Sequence, residues 1–148
     1  MKNQQGDVLL YQSIDNGEIE VVDGVTTLTG GFETAAYLSL FGGNRDDDGS
    51  SGNTATWWGN LDETQPSKKY VSETQFIIDS LPATANNLKR VQDAAARDLN
   101  WLISENIASQ ITIVASIPKI KQLKVDITII ANGEESNFEF VENWKASK

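Results

Sequence analysis

The chain has 148 residues, which fits one domain of ordinary size, and its 39% hydrophobic and 22% charged residues are typical of a globular protein. Its formal net charge of -9 argues against electrostatic binding to nucleic acid or to an anionic membrane, so its partners are expected to be proteins. The absence of cysteine excludes disulfides and thiolate metal sites, and the absence of histidine removes the commonest general base and metal ligand.

The first forty residues predict a small N-terminal β-meander that is closed by a helix. Asn16-Gly17 and Asp23-Gly24 are pairs that favour tight hairpin turns between short strands. The three strands are expected at residues 7–12, 18–22 and 25–29. After Gly30-Gly31, the apolar residues of segment 32–41 recur on one face of a short helix.

Residues 42–56 have no hydrophobic periodicity and are rich in Gly, Asn, Asp and Ser, which predicts a long exposed loop. Residues 44–49 resemble the first half of an EF-hand calcium loop, but Arg45 interrupts the acidic cluster and Ala55 stands where the bidentate glutamate is required. A solvated acidic loop is therefore favoured, and no metal or other cofactor is predicted. At the end of the loop, Trp57-Trp58 either anchors the loop in the core or lets Trp57 contact a partner.

Two helices are predicted in the middle of the chain. Ser72 and Gln75 have the spacing of a capping box, which predicts a helix over residues 73–80 that ends before Pro82. A longer helix is expected over residues 84–104, because apolar side chains recur there every three or four positions. This stripe, which is expected to face the protein's own sheet rather than a partner helix, consists of Leu88, Val91, Ala95, Leu99 and Leu102.

The C-terminal third predicts an antiparallel sheet. Apolar and polar residues alternate over 111–117 and 123–129, as in strands with one buried face. Asn132-Gly133 then predicts a hairpin turn into a third strand near residues 138–141. The prediction is an α+β fold in a single domain over residues 1–148, with two to three helices and the C-terminal sheet packed on the long helix.

The sequence offers no recognisable catalytic centre. Glu33 with Asp62 or Asp126 is a candidate for the acid and base pair of a glycosidase, but nothing in the spacing selects a pair. With no histidine, no cysteine and no Gly-x-Ser-x-Gly motif, we do not predict an enzyme. The N-terminus lacks an apolar signal core and no run of 18 apolar residues occurs, so we expect neither export by that route nor a membrane partner.

Four motifs and the acidic loop follow one another in a distinctive order. They are Asp7-Val8-Leu9-Leu10-Tyr11, Leu38-Ser39-Leu40-Phe41, the loop itself, Trp57-Trp58-Gly59-Asn60 and Asp98-Leu99-Asn100-Trp101. In this order they resemble the Mu-like phage tail protein family numbered 46, and the resemblance covers most of the chain. That family is related to the gene-25-like baseplate wedge proteins of contractile tails.

The resemblance implies a structural subunit of a baseplate wedge that binds other wedge proteins and initiates assembly of the tail sheath. Its expected partners are other wedge proteins and the sheath protein, with tail tube or hub proteins as further candidates. Its expected place is the tail baseplate of the virion, after assembly in the host cytoplasm. The related group has also been labelled lysozyme-like, so a cell-wall glycoside hydrolase is the alternative function, beside a calcium-stabilised binding module.

Partner-binding residues are expected at two places besides Trp57. The gene-25-like group carries a Glu-Pro-Arg motif after its last helix, and only the glutamate is matched here, so the resemblance implies a role for Glu105. The C-terminal strands are expected to accept a strand from another chain, because an edge strand has unpaired backbone groups. The residues predicted there are Leu123, Val125, Ile127, Ile129, Phe138 and Phe140.

Overall fold

A computed structural model describes residues 7–8, 10–12, 17–19, 21–26, 28–29, 32–43, 64–65 and 69–146 of the chain. The predicted loop over 42–56 therefore lies outside the described residues, apart from Gly42 and Gly43. The fold is a small α+β fold, as the sequence predicts. Short N-terminal strands precede the helices, and a three-stranded antiparallel sheet follows them.

The N-terminal strands occur as six short pieces that pair antiparallel. They are β1 (Asp7–Val8), β2 (Leu10–Gln12), β3 (Gly17–Ile19), β4 (Val21–Val22), β5 (Val25–Thr26) and β6 (Leu28–Thr29). The hairpin pairings β2–β3 and β4–β5 follow the predicted meander, and Asp23 and Gly24 both take the positive φ angles that a tight β4–β5 turn requires. Strand β1 also pairs with β6, a contact between the two ends of the segment that the local pattern does not predict.

Helix α1 (Glu33–Phe41) confirms the predicted N-terminal helix and packs on the last strand of the sheet. The rings of Tyr37 and Phe41 contact Phe140, with centroids 5.6 and 6.1 Å away. The Tyr37 hydroxyl donates to the buried carboxylate of Glu142. Burial, with this negatively charged neighbour, raises the pKa of Tyr37 to about 12.

Helix α2 (Glu73–Ser80) begins where the capping box predicts, but the capping box itself is wrong. Ser72 has φ 51° and ψ 59°, which is a left-handed conformation, and its side chain does not cap the helix. Its hydroxyl instead accepts from the Gly43 backbone at 2.7 Å and donates to the Ser39 carbonyl at 2.9 Å. The Gln75 amide donates to Asp79 at 2.9 Å and does not reach back to residue 72.

The predicted long helix is divided into α3 (Ala85–Asp98) and the short α4 (Asn100–Ser104), with the break at Leu99. Thr84 caps α3 by accepting a hydrogen bond from the Asn87 backbone. The predicted apolar stripe is confirmed. Leu88 is partly buried, and the other residues of the stripe are inaccessible to solvent. Those inaccessible residues are Val91, Ala95, Leu99 and Leu102.

The C-terminal sheet consists of β7 (Gln110–Ser116), β8 (Gln122–Ala131) and β9 (Glu134–Asn143), in that spatial order. Asn132 and Gly133 have φ 52° and 76°, as a two-residue type I′ turn requires, so the predicted hairpin is confirmed. Along β8 every second side chain is buried, because one face of the sheet packs on the helices. Trp144, just past β9, joins this core and donates its indole N–H to the Leu81 carbonyl.

Candidate functional site

The four predicted β8 residues belong to the hydrophobic core. Leu123, Val125, Ile127 and Ile129 are at most 1% exposed, so a partner at the surface cannot reach these side chains. Strand β8 is also the middle strand, and its backbone is paired with β7 on one side and with β9 on the other. The prediction that this strand offers an edge to another chain is therefore corrected, since it has no edge to offer.

The two predicted β9 side chains also point into the protein. Phe140 is 2% exposed and contacts the rings of α1, and Phe138 is half-buried with its ring 5.8 Å from that of Phe140. These side chains hold β9 against the helices. What β9 presents to another chain is its outer backbone edge and the side chains on its other face.

Two hydrogen bonds establish which backbone groups face the outer edges of the sheet. Trp144 donates its backbone N–H to the Lys121 carbonyl at 2.8 Å, which continues the β8–β9 ladder through odd-numbered residues of β8. Ala115 of β7 donates its backbone N–H at 3.1 Å to the side-chain oxygen of Gln92 on α3, and therefore faces away from β8. In an antiparallel pair, every second residue of a strand bonds to its neighbour and the residues between them direct their backbone groups to the other side. Even-numbered residues of β7 and β9 therefore bond to β8, and the odd-numbered residues of both strands direct their backbone groups outward.

The outer edge of β9 is open along its first half and acidic. Its outward-facing residues there are Glu135, Asn137 and Glu139, for whose backbone groups no partner occurs among the described residues. Further along, Val141 and Asn143 already have interaction partners. The open stretch is therefore about five residues long and carries two exposed carboxylates.

A single lysine lies among these acidic groups. Lys124 of β8 contacts Glu139 at 3.3 Å and Asp126 at 3.5 Å on the outer face of the sheet. The hydrogen bond to Glu139 and the charge of Asp126 raise the pKa of Lys124. The side-chain amide of Asn137 links Thr128 to Glu135. It accepts a hydrogen bond from the Thr128 hydroxyl at 2.7 Å and donates one to the Glu135 carboxylate at 2.9 Å.

The outer edge of β7 is open as well, but it is uncharged. Residues 106–118 contain no charged side chain, and Val114 is 53% exposed on the face away from the helices. Gln92 occupies the outward N–H of Ala115, and in the described part of the chain nothing occupies those of Ile111 and Ile113. The sequence analysis did not predict this edge, although the long uncharged stretch marks it.

Glu105 lies at the end of α4, where it is exposed. Its backbone N–H bonds to the Trp101 carbonyl, and its side chain makes no ion pair or hydrogen bond with the residues that the structure describes. Asn106, next to it, has φ 58° and turns the chain toward β7. A partner-binding role for Glu105 stays a prediction, and Trp57 lies outside the described residues.

The carboxylates that were considered for catalysis are not brought together. Glu33 starts α1, which packs on the inner face of the sheet, and burial raises its pKa. Asp126 lies on the opposite face beside Lys124, and Asp62 is outside the described residues. Within the described ranges, no three acidic side chains cluster as metal ligands would, and no helix is both long and apolar enough to cross a membrane.

Comparison with known protein families, with curated proteins and with solved structures finds no match to this chain.

Proposed function

We propose that this chain is a structural subunit of a contractile phage tail baseplate, in which the β9 edge receives a strand from a sheath or wedge protein. The observation that carries the proposal is the open, outward-facing backbone of Glu135, Asn137 and Glu139. The resemblance of the sequence motifs to the Mu-like tail family supplies the biological setting.

Strand addition suits an assembly role because it joins proteins through groups that every chain has. Each outward N–H and carbonyl of β9 would bond to the added strand, and alternate side chains would select the partner. The rigid support for this edge comes from β8 and from the aromatic contacts of Phe140 with α1. The edge is therefore presented in a fixed direction, as transmission of register from baseplate to sheath requires.

The charge of the edge indicates the chemistry of the partner strand. Glu134, Glu135 and Glu139 are exposed, and among the described residues the one ion pair that any of them makes is between Glu139 and Lys124. A second acidic strand would be repelled at this edge, because like charges directly opposite each other destabilise a strand pair. The partner strand is therefore expected to carry Lys or Arg at positions that face these carboxylates.

Asn137→Pro is the variant that tests this proposal. Proline removes the outward N–H at the centre of the edge, while the ladder to β8 uses residues 136 and 138 and stays intact. Baseplates assembled with Asn137→Pro are expected to lack sheaths in electron micrographs of tail assembly reactions. Asn137→Ala loses the same side-chain contacts but keeps the N–H, and is expected to support sheath assembly as the wild type does.

Thermal unfolding of both variants controls for damage to the fold. The proposal is wrong if folded Asn137→Pro still supports sheath growth at the wild-type rate. It is equally wrong if Asn137→Ala abolishes growth to the same extent, since the side chain and not the backbone edge would then be responsible.

A further inference from the structure

Within the described chain, the outer edge of β7 lacks the devices by which proteins usually protect an exposed strand. Such edges are normally blocked by charged side chains, proline, bulges or a covering segment. Strand β7 has the sequence Gln-Ile-Thr-Ile-Val-Ala-Ser, and its pairing with β8 runs without a bulge from Gln110 to Ser116. Helix α3 packs against β7 and reaches this edge through the Gln92 side chain at Ala115, and no other hydrogen bond to the outward groups of β7 occurs in the described chain.

Exposed apolar side chains concentrate on the same part of the chain. Of the large hydrophobic side chains that are exposed in the described residues, four lie between residues 103 and 120 and three lie elsewhere. The four are Ile103, Ile107, Val114 and Ile120, the last of which is 94% exposed. An uncharged edge with exposed apolar neighbours is a surface that gains free energy when it is covered.

We propose that β7 pairs with β7 of a second copy of this chain, antiparallel, about a two-fold axis that passes beside Thr112. The outward-facing residues that remain open are Ile111 and Ile113, because Gln92 already bonds to Ala115. With the axis at residue 112, Ile111 of each copy faces Ile113 of the other, and the two pairs exchange four backbone hydrogen bonds. This register uses the whole open stretch and joins two three-stranded sheets into one of six strands.

Charge favours a second copy at this edge over the acidic edge of β9. If two copies met through their β9 edges, the carboxylates of Glu135 and Glu139 on the two strands would be brought close together. At β7 the facing residues are all neutral, since Gln110 comes opposite Val114 and Thr112 opposite its own copy. A two-fold contact is self-complementary, so one uncharged strand suffices for both sides of the interface.

Substitutions of opposite charge at residue 112 test two points together: whether the partner of β7 is a second copy, and which residues face each other in the pair. Thr112 is exposed on the outer face of the sheet, so substitution there leaves the core untouched. In the proposed dimer, Thr112→Lys places two lysines directly opposite each other, and Thr112→Glu places two glutamates there. By sedimentation, the wild type is expected to be a dimer and each variant alone a monomer, whereas an equimolar mixture of the two variants forms a heterodimer.

Thr112→Ser is the matched control, which keeps the hydroxyl and adds no charge and is expected to remain dimeric. Circular dichroism checks that both charged variants are folded. A monomeric wild type overturns the proposal, and so does a dimer that survives Thr112→Lys. If both charged variants are monomers and their mixture stays monomeric, the proposed register is wrong. Because purified protein suffices, the outcome is independent of the baseplate assembly experiment.

Discussion

Asp98 shows how one side chain connects two helices that are distant in sequence. It is the last residue of α3, and its carboxylate accepts the backbone N–H groups of Glu73 and Thr74 at 3.0 and 2.9 Å. The Thr74 hydroxyl donates to it as well, at 2.8 Å. These bonds do for α2 what Ser72 would do in a capping box, because the first N–H groups of a helix need an acceptor from outside. The neighbouring Arg97 adds an ion pair to Glu73 at 2.7 Å.

Burial of Asp98 makes the stability of the protein depend on pH. Burial raises the pKa of Asp98 from 3.8 to about 6, although the hydrogen bonds from Thr74 and Glu73 lower it. The folded protein therefore holds this proton more tightly than the unfolded chain does. The stability that comes from the protonated group is complete below pH 3.8 and is lost as the pH rises through about 6.

Asp98→Asn isolates this dependence, because the amide does not titrate. We expect the free energy of unfolding of the wild type, minus that of Asp98→Asn, to fall by up to about 3 kcal/mol between pH 3.8 and pH 7. Urea unfolding at a series of pH values measures the difference. Asp93→Asn, on an exposed position of the same helix, is the control and is expected to follow the wild-type profile. Parallel profiles for the wild type and Asp98→Asn would contradict the assignment.

At the scale of the elements, local periodicity predicts most of the described secondary structure. The alternation of apolar residues in β7 and β8, the Asn132-Gly133 turn and the stripe of α3 are patterns within short windows, and the structure confirms each of them. These patterns were sufficient because burial of one face imposes a period of 2 on strands and 3.6 on helices.

The incorrect predictions concern contacts between segments. Asp98 lies 24 residues from Thr74, and Gln92 lies 23 residues from Ala115, so no local pattern marks either as a cap. The β8 residues were assigned to a partner surface because an edge strand can accept another strand, and no local pattern tells which strand lies in the middle of the sheet. The structure places β8 between β7 and β9, and it confirms the predicted packing of the sheet on the helices.

The junction between α1 and α2 depends on a glycine, Gly43, whose Cα lies against the backbone of the segment before α2. A Cβ added to Gly43 would lie much closer than 3.0 Å to the Tyr70 carbonyl oxygen, which is a severe clash. Gly43→Ala must therefore push residues 70–72 away from α1. That shift also breaks the bond from the Gly43 N–H to Ser72. We expect the free energy of unfolding to fall by about 3 kcal/mol, from the clash and the lost buried hydrogen bond.

Gly133→Ala is the comparison for this prediction. Its φ of 76° strains an alanine, but the added Cβ meets nothing within 4 Å, so the expected loss is about 1–2 kcal/mol. Chemical denaturation of both variants measures the two losses. Equal losses would show that backbone strain, and not the close approach of Tyr70, sets the cost at residue 43.

At the scale of the whole molecule, the C-terminal sheet has two edges that are open over part of their length among the described residues and that differ in charge. The β9 edge carries Glu135 and Glu139, whereas residues 106–118, which include β7, are neutral. If both proposals hold, the same three strands bind two kinds of chain without competition, a basic strand at β9 and a second copy at β7. A dimer formed through β7 leaves both β9 edges open, one at each end of a six-stranded sheet.

The two interfaces are expected to respond to salt in opposite directions. Salt weakens attraction between the acidic β9 edge and a basic strand, because the screening length falls from about 10 Å at 0.1 M to about 3 Å at 1 M. It strengthens the β7 dimer, since the two copies, each with a net charge of -9, repel one another most at low ionic strength. Sheath recruitment to baseplates should therefore decline over this range, while sedimentation should show a lower dimer dissociation constant.

Glu135→Gln is expected to reduce the salt dependence of recruitment and to preserve the dimer. If both interfaces weakened together with rising salt, the assignment of one partner class to each edge would be wrong.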